Sequence, residues 1–219
     1  MYAIRAVLLA AAVCAASGAR AALVSADDAI FGVGSLTFDS VSLLQWLDLP
    51  LSTNRSVNEI SAEFGLGGDF EGFRYASRDE VVILWQHAGI TTITLGTDAA
   101  YSATDAAAVQ ALVALLGYTA PPGANTFPYA RGLTATLTPA GGGNVFSPFV
   151  QLCDQIGRRD CLTVTTAKAI AGAALTTTFA AADIGHWLVR ETFVPLPPAL
   201  LLLAGPLALL LRSRIGTAR

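Results

Sequence analysis

Hydrophobic positions along the middle of the chain keep two rhythms, one of period two and one of period near 3.6, and each change of rhythm marks an element. Residues 36–49 (LTFDSVSLLQWLDL) carry β-branched and aromatic side chains around a turn at Asp39-Ser40, which predicts two strands, the second bearing Trp46. Ser56-Val57-Asn58-Glu59 is a capping box, in which serine and glutamate side chains satisfy each other's orphan backbone donors, and it predicts a short helix to about Phe64. Gly65, Gly67 and Gly68 end it, and Gly72-Phe73-Arg74-Tyr75 reads as a strand. A second capping box, Ser77-Arg78-Asp79-Glu80, opens a helix with Val81, Leu84, Trp85 and Ala88 on one face and Gly89 as its natural stop. A third helix is predicted over 106–116, begun by Thr104 or Asp105, closed by Gly117, with Val109, Leu112, Val113 and Leu116 on its buried stripe.

Beyond Pro121-Pro122-Gly123 the pattern shortens. Residues 133–138, 145–152, 161–166 and 174–179 read as short strands between loop signals, and 185–190 (GHWLVR) as a closing strand. The run 167–174 fits helix or strand. The expected class is α+β: a single domain over 22–193, with short helices in its N-terminal half and an antiparallel sheet assembled largely from later segments.

The two ends do not belong to that domain. Arg5 precedes an apolar run, 6–16, and a small-x-small site at Ala19-Arg20-Ala21, so residues 1–21 read as an N-terminal signal helix cleaved before Ala22. At the other end, 194–211 carries no charge and Arg212, Arg214 and Arg219 follow. Eighteen residues make roughly 27 Å of helix against a hydrocarbon core of about 30 Å, so the segment spans only just. Proline at 195, 197 and 198 starts the regular helix near Pro198, giving a transmembrane helix over 198–211 and an arginine-rich end, 212–219, held in the cytoplasm by Arg212 and Arg214. Five of the thirteen basic residues lie in these ends, so the exported part carries sixteen acidic against eight basic side chains, a net of minus eight. Such a balance repels phosphate backbones and argues against a nucleic-acid partner.

The tail, Val194-Pro195-Leu196-Pro197 followed by a short apolar helix and an arginine cluster, resembles the PEP-CTERM sorting signals of Gram-negative bacteria, in the variant that reads Val-Pro-Leu-Pro-Ala (VPLPA-CTERM); Pro198 stands where alanine is usual. The resemblance implies an exosortase-type membrane protease as partner, transient anchoring in the inner membrane, cleavage, and delivery to the cell surface or extracellular matrix. The exported part is also similar to domains found upstream of such tails, through Leu44-Gln45-Trp46-Leu47-Asp48-Leu49, Ser56-Val57-Asn58-Glu59, the stretch 72–81 (GFRYASRDEV) and Trp187-Leu188-Val189-Arg190, with Phe73 where tryptophan is usual. Those domains are in turn similar to C-type-lectin-like and formylglycine-generating-enzyme-like domains, which implies terminal strands that pair and long loops that carry function.

Candidate chemistry is sparse. Cys153 and Cys161 flank a polar loop in a chain bound for an oxidising compartment and are expected to form a disulfide; Cys14 leaves with the signal segment. His87, near a helix C-terminus, suits the helix dipole, and His186 reads as an exposed residue before the closing strand. Gly67-Gly68-Asp69-Phe70-Glu71 is a loop whose order departs from the cyclase signature that it superficially resembles. Asp48, Asp69, Glu71 and Asp79 lack the regular spacing of a calcium loop, so no metal and no cofactor is expected. Trp46, Phe73, Trp85 and Trp187 are assigned to the core. No Gly-x-Ser-x-Gly or equivalent signature is present. The expectation is a non-enzymatic structural or adhesive surface protein; the alternative is a lectin-like module that binds extracellular polysaccharide, and the third a hydrolase of matrix polymers, which needs a Ser or Asp within reach of His87 or His186.

Overall fold

The computed structural model describes residues 23–123, 127–139, 142–153 and 163–192. Its architecture is mixed α+β with mostly antiparallel sheets and few helices. The first sheet begins as a meander of β1 (Leu23–Asp28), β2 (Gly32–Asp39) and β3 (Leu44–Leu47). The last strand of the chain, β12 (Leu188–Glu191), lies beside β3, and β4 (Arg74–Tyr75) closes the edge, for an order β1-β2-β3-β12-β4, antiparallel throughout. A second sheet runs β11-β6-β8-β9-β5, from β11 (Gly185–His186), β6 (Tyr129–Leu133), β8 (Phe149–Cys153), β9 (Thr166–Ile170) and β5 (Ile93–Thr94). The contacts of β11 with β6 and of β5 with β9 are parallel. A hairpin-like pair, β7 (Asn144–Phe146) and β10 (Ala174–Thr176), stands apart.

Both capping boxes form as read. Ser56 caps α1 (Val57–Ser61) and Ser77 caps α2 (Arg78–His87), each with the reciprocal glutamate bond in place. Gly89 follows α2 with φ +88°, the left-handed conformation that glycine adopts without penalty. The third helix, α3 (Ala106–Leu116), has Asp105 at its N-cap position, but that carboxylate does not cap the helix. It accepts bonds from Thr91 and Thr92 instead, tying the preceding loop down.

Period-two alternation explains the packing. Trp46 and Val189 face a core shared with Leu84 and Trp85 of α2, the predicted stripe of α3, and Ala130, Val150, Leu152 and Ala169 of the second sheet. Leu47 and Leu188 point the other way, onto Ile60, Phe70 and Phe73. Between the sheets stand three tryptophans, with Trp187 edge-on to both Trp46 and Trp85 at ring-centroid distances of 6.1 and 6.2 Å. Its indole N–H donates to the Pro148 carbonyl at 3.1 Å.

Several expectations change. The closing segment 185–190 is two strands serving two sheets, because the chain turns from one layer to the other at Trp187. The segment 145–152 is likewise broken at Ser147-Pro148, since proline cannot donate to a ladder. Residues 133–138 hold the end of a strand that starts earlier, at Tyr129, with Leu137 making only an isolated bridge to Val145. The first helix is shorter than expected, ending at Ser61. The ambiguous run 167–174 is mostly strand. The signal segment with Ala19 and Ala21, the sorting motif Val194, Pro195, Leu196 and Pro197, the helix 198–211, Arg212, Arg214 and Cys161 lie outside the described residues. Among the described residues, no helix is long and apolar enough to cross a membrane. Cys153 is fully buried at the end of β8; the expected disulfide partner, Cys161, lies outside the described residues.

Candidate functional site

The turn between β2 and β3 puts Leu43 at φ +58° and leaves it 45% exposed, an unusual backbone for a branched side chain. Its carbonyl accepts from both the N–H and the hydroxyl of Thr192, where the described chain ends. Beside this knot lies an open cleft of about 450 Å³, lined among others by Leu44, Trp46, Glu80, Ile83 and Glu191. Leucine and isoleucine form its walls. Trp46 is 1% exposed, so it offers no face on which a ring could stack. Glu80 is held by Arg74 through two bonds, at 2.7 and 3.0 Å, and that guanidinium, ahead of the opposing effect of burial, keeps its carboxyl below the usual range.

Behind the same turn, Asp39 is completely buried. Its carboxylate accepts from the Val41 N–H at 2.9 Å, the Ser42 hydroxyl at 2.6 Å and His87 Nδ1 at 2.7 Å. Burial alone raises an aspartate pKa, but here the hydrogen bonds from Ser42, His87 and Val41 outweigh it and the net shift is downward. A carboxylate does lie within reach of His87, as the hydrolase reading requires. The nucleophile is misdirected, however: the Ser42 hydroxyl is bonded to the aspartate and not to the imidazole, so the histidine cannot take its proton.

His186 departs from expectation. It is fully buried, because β11, although the edge strand of its sheet, is covered by the 3-10 turn Leu49–Ser52. Its Nδ1 accepts from the Tyr75 hydroxyl at 2.7 Å, its Nε2–H donates to the Arg55 carbonyl at 2.8 Å, and its backbone N–H donates to Ser52 Oγ at 2.8 Å. Both ring nitrogens are therefore spent on structure. Burial pushes its pKa down to about 4, so the ring is neutral.

The four carboxylates weighed for calcium do not converge. Asp69 pairs with Arg55 and Asp79 with Arg78, while Glu71 accepts from the Gly67 N–H. Asp48 stands at the end of β3 with a buried Oδ1 that has no hydrogen-bond partner, and burial raises its pKa to about 7. Among the described residues no group of three potential metal ligands occurs. No known protein family matches the chain, and neither a curated protein nor a solved structure does. Sequence reading missed the Asp39–Ser42–His87 cluster, whose members come from a turn and a helix end 48 positions apart. The only signal was Asp39-Ser40 itself, a common turn opening.

Proposed function

We propose that this chain is an exported, non-enzymatic domain, structural or adhesive, delivered to the cell surface or extracellular matrix by an exosortase-type system acting on Val194-Pro195-Leu196-Pro197. The observation that carries the non-enzymatic part is the commitment of the groups that a hydrolase needs: both nitrogens of His186 and the Ser42 hydroxyl are tied into structural bonds, the latter to the carboxylate that also holds His87. The attachment of the tail fits the same reading. Strand β12 is an interior strand, flanked by β3 and β4, and the sorting motif begins two residues beyond Thr192. Load on the tail is thus passed directly into the first sheet.

Fractionation of cells that make the protein tests this. The expected result is recovery with the surface or matrix fraction, and release when the matrix polysaccharide is digested. Recovery only from the cytoplasm contradicts the reading, as does degradation of matrix polymer by the purified protein.

A further inference from the structure

The outer face of the second sheet differs in charge from the rest of the molecule. On β6, β8 and β9 the inward positions Ala130, Val150, Leu152, Ala167 and Ala169 join the core, so the alternate positions face outward. The register sets Tyr129, Gln151 and Lys168 in one row across the three strands, and Arg131 beside Phe149 in the next. All five are half-buried and line one face.

The cations there are fixed by rings, not by anions. The Arg131 guanidinium lies 5.4 Å from the centre of the Phe149 ring, and the Lys168 ammonium lies 4.7 Å from Tyr101 and 6.0 Å from Phe149. Cation–ring contact positions a charge without neutralising it. Among the described residues the Arg131 guanidinium donates only its Nε–H, to the Ser147 hydroxyl at 2.8 Å. Among the described residues neither cation has a carboxylate within ion-pair distance, and the nearby Asp183 accepts from the Tyr129 hydroxyl instead. Burial lowers the Arg131 pKa, ahead of the opposing pull of Tyr129 and the Asp183 carboxylate. In an exported part with a net charge of minus eight, two such cations among aromatic rings are a local inversion of sign.

We infer that this face binds an acidic polysaccharide, a polyuronate-like chain whose carboxylates pair with Arg131 and Lys168 while its sugar rings lie against Tyr129 and Phe149. The inference rests on the adhesive reading above and adds the ligand class and the site. The cations sit on strands separated by β8, roughly 10 Å apart across two strand spacings, which suits repeated carboxylates along an extended polymer. Gln151, whose carbonyl oxygen accepts from the Tyr101 hydroxyl at 2.7 Å, keeps its amide N–H donors for sugar hydroxyls. The rings supply the apolar surface that the faces of pyranose sugars require.

Affinity electrophoresis of the purified full-length chain through gels containing polygalacturonate, neutral dextran or single-stranded DNA tests the site. Retardation by polygalacturonate alone, weakening with added salt, is expected. Lys168→Gln and Arg131→Gln should each weaken it about tenfold, the loss for one charged hydrogen bond; Lys168→Gln, on the outer face, should lose only its ring contacts and stay folded. No retardation, equal retardation by dextran, stronger retention by DNA, or undiminished binding by folded variants each overturns the inference. If the protein reaches the matrix but ignores polygalacturonate, the adhesive reading stands and this ligand falls; if it is never exported, the adhesive reading itself falls.

Discussion

Trp187→Ala is expected to lower the melting temperature sharply. The indole is 1% exposed, touches the other two core tryptophans, and bonds the Pro148 carbonyl at the entry to β8. It also sits where the chain passes from the second sheet to the first. Truncating a buried tryptophan costs about 3–5 kcal/mol, against a total stability of about 5–15 kcal/mol for an ordinary domain. On one side the ring is packed directly on the Gly132 backbone, where an added Cβ would fall 2.9 Å from Trp187 and 2.8 Å from the Leu49 side chain. Thermal melts of Trp187→Ala and Trp187→Phe check this, with the phenylalanine variant expected to lie between alanine and wild type. A melting temperature unchanged in the alanine variant would mean that Trp187 does not join the layers.

Acidification is expected to weaken Asp48→Asn well before carboxylates in general protonate. His186 has a folded pKa of about 4 against an ordinary 6.5. The unfolded chain therefore gains a proton that the folded one refuses, and stability is full above pH 6.5 and lost progressively as pH falls toward 4. The loss amounts to about 3 kcal/mol. Asp48 works in the opposite sense: its folded pKa is raised to about 7, so its contribution is present at low pH and lost as pH rises through 7. Asp39, Asp28 and Glu80, all shifted down, lose their contributions only below the ordinary carboxylate range. From pH 8 to pH 4 the two effects nearly offset in the wild type, so its unfolding free energy should change little, while it falls in Asp48→Asn and rises in His186→Gln. Asp48→Asn should also be the more stable protein at pH 8. Identical slopes in all three would remove His186 and Asp48 as the titrating groups.

Local interactions were the legible part of this sequence. Both capping boxes and the stripe of α3 depend on residues within one or two helical turns, and they form where the pattern places them. The two strands around Asp39-Ser40 were equally plain. The later strands were not, because their limits are set by partners far away: β6 begins at Tyr129 through pairing with Gln151, and GHWLVR splits because its halves pair with Gly132 and with Trp46. The β1 segment, LVSADD, has too little apolar alternation to read as a strand and exists as the partner of β2. Burial of His186 and Asp48 is a tertiary outcome for the same reason. The cationic sheet face could not be read either, since Arg131 and Lys168 meet Phe149 only once register is fixed.

The most direct measurement is the intact mass of the mature protein together with the fraction that holds it. A chain beginning near Ala22, ending between Pro195 and Pro198, and recovered from the cell surface or matrix is the predicted result. A chain still ending at Arg219 and found only in the inner membrane would contradict it.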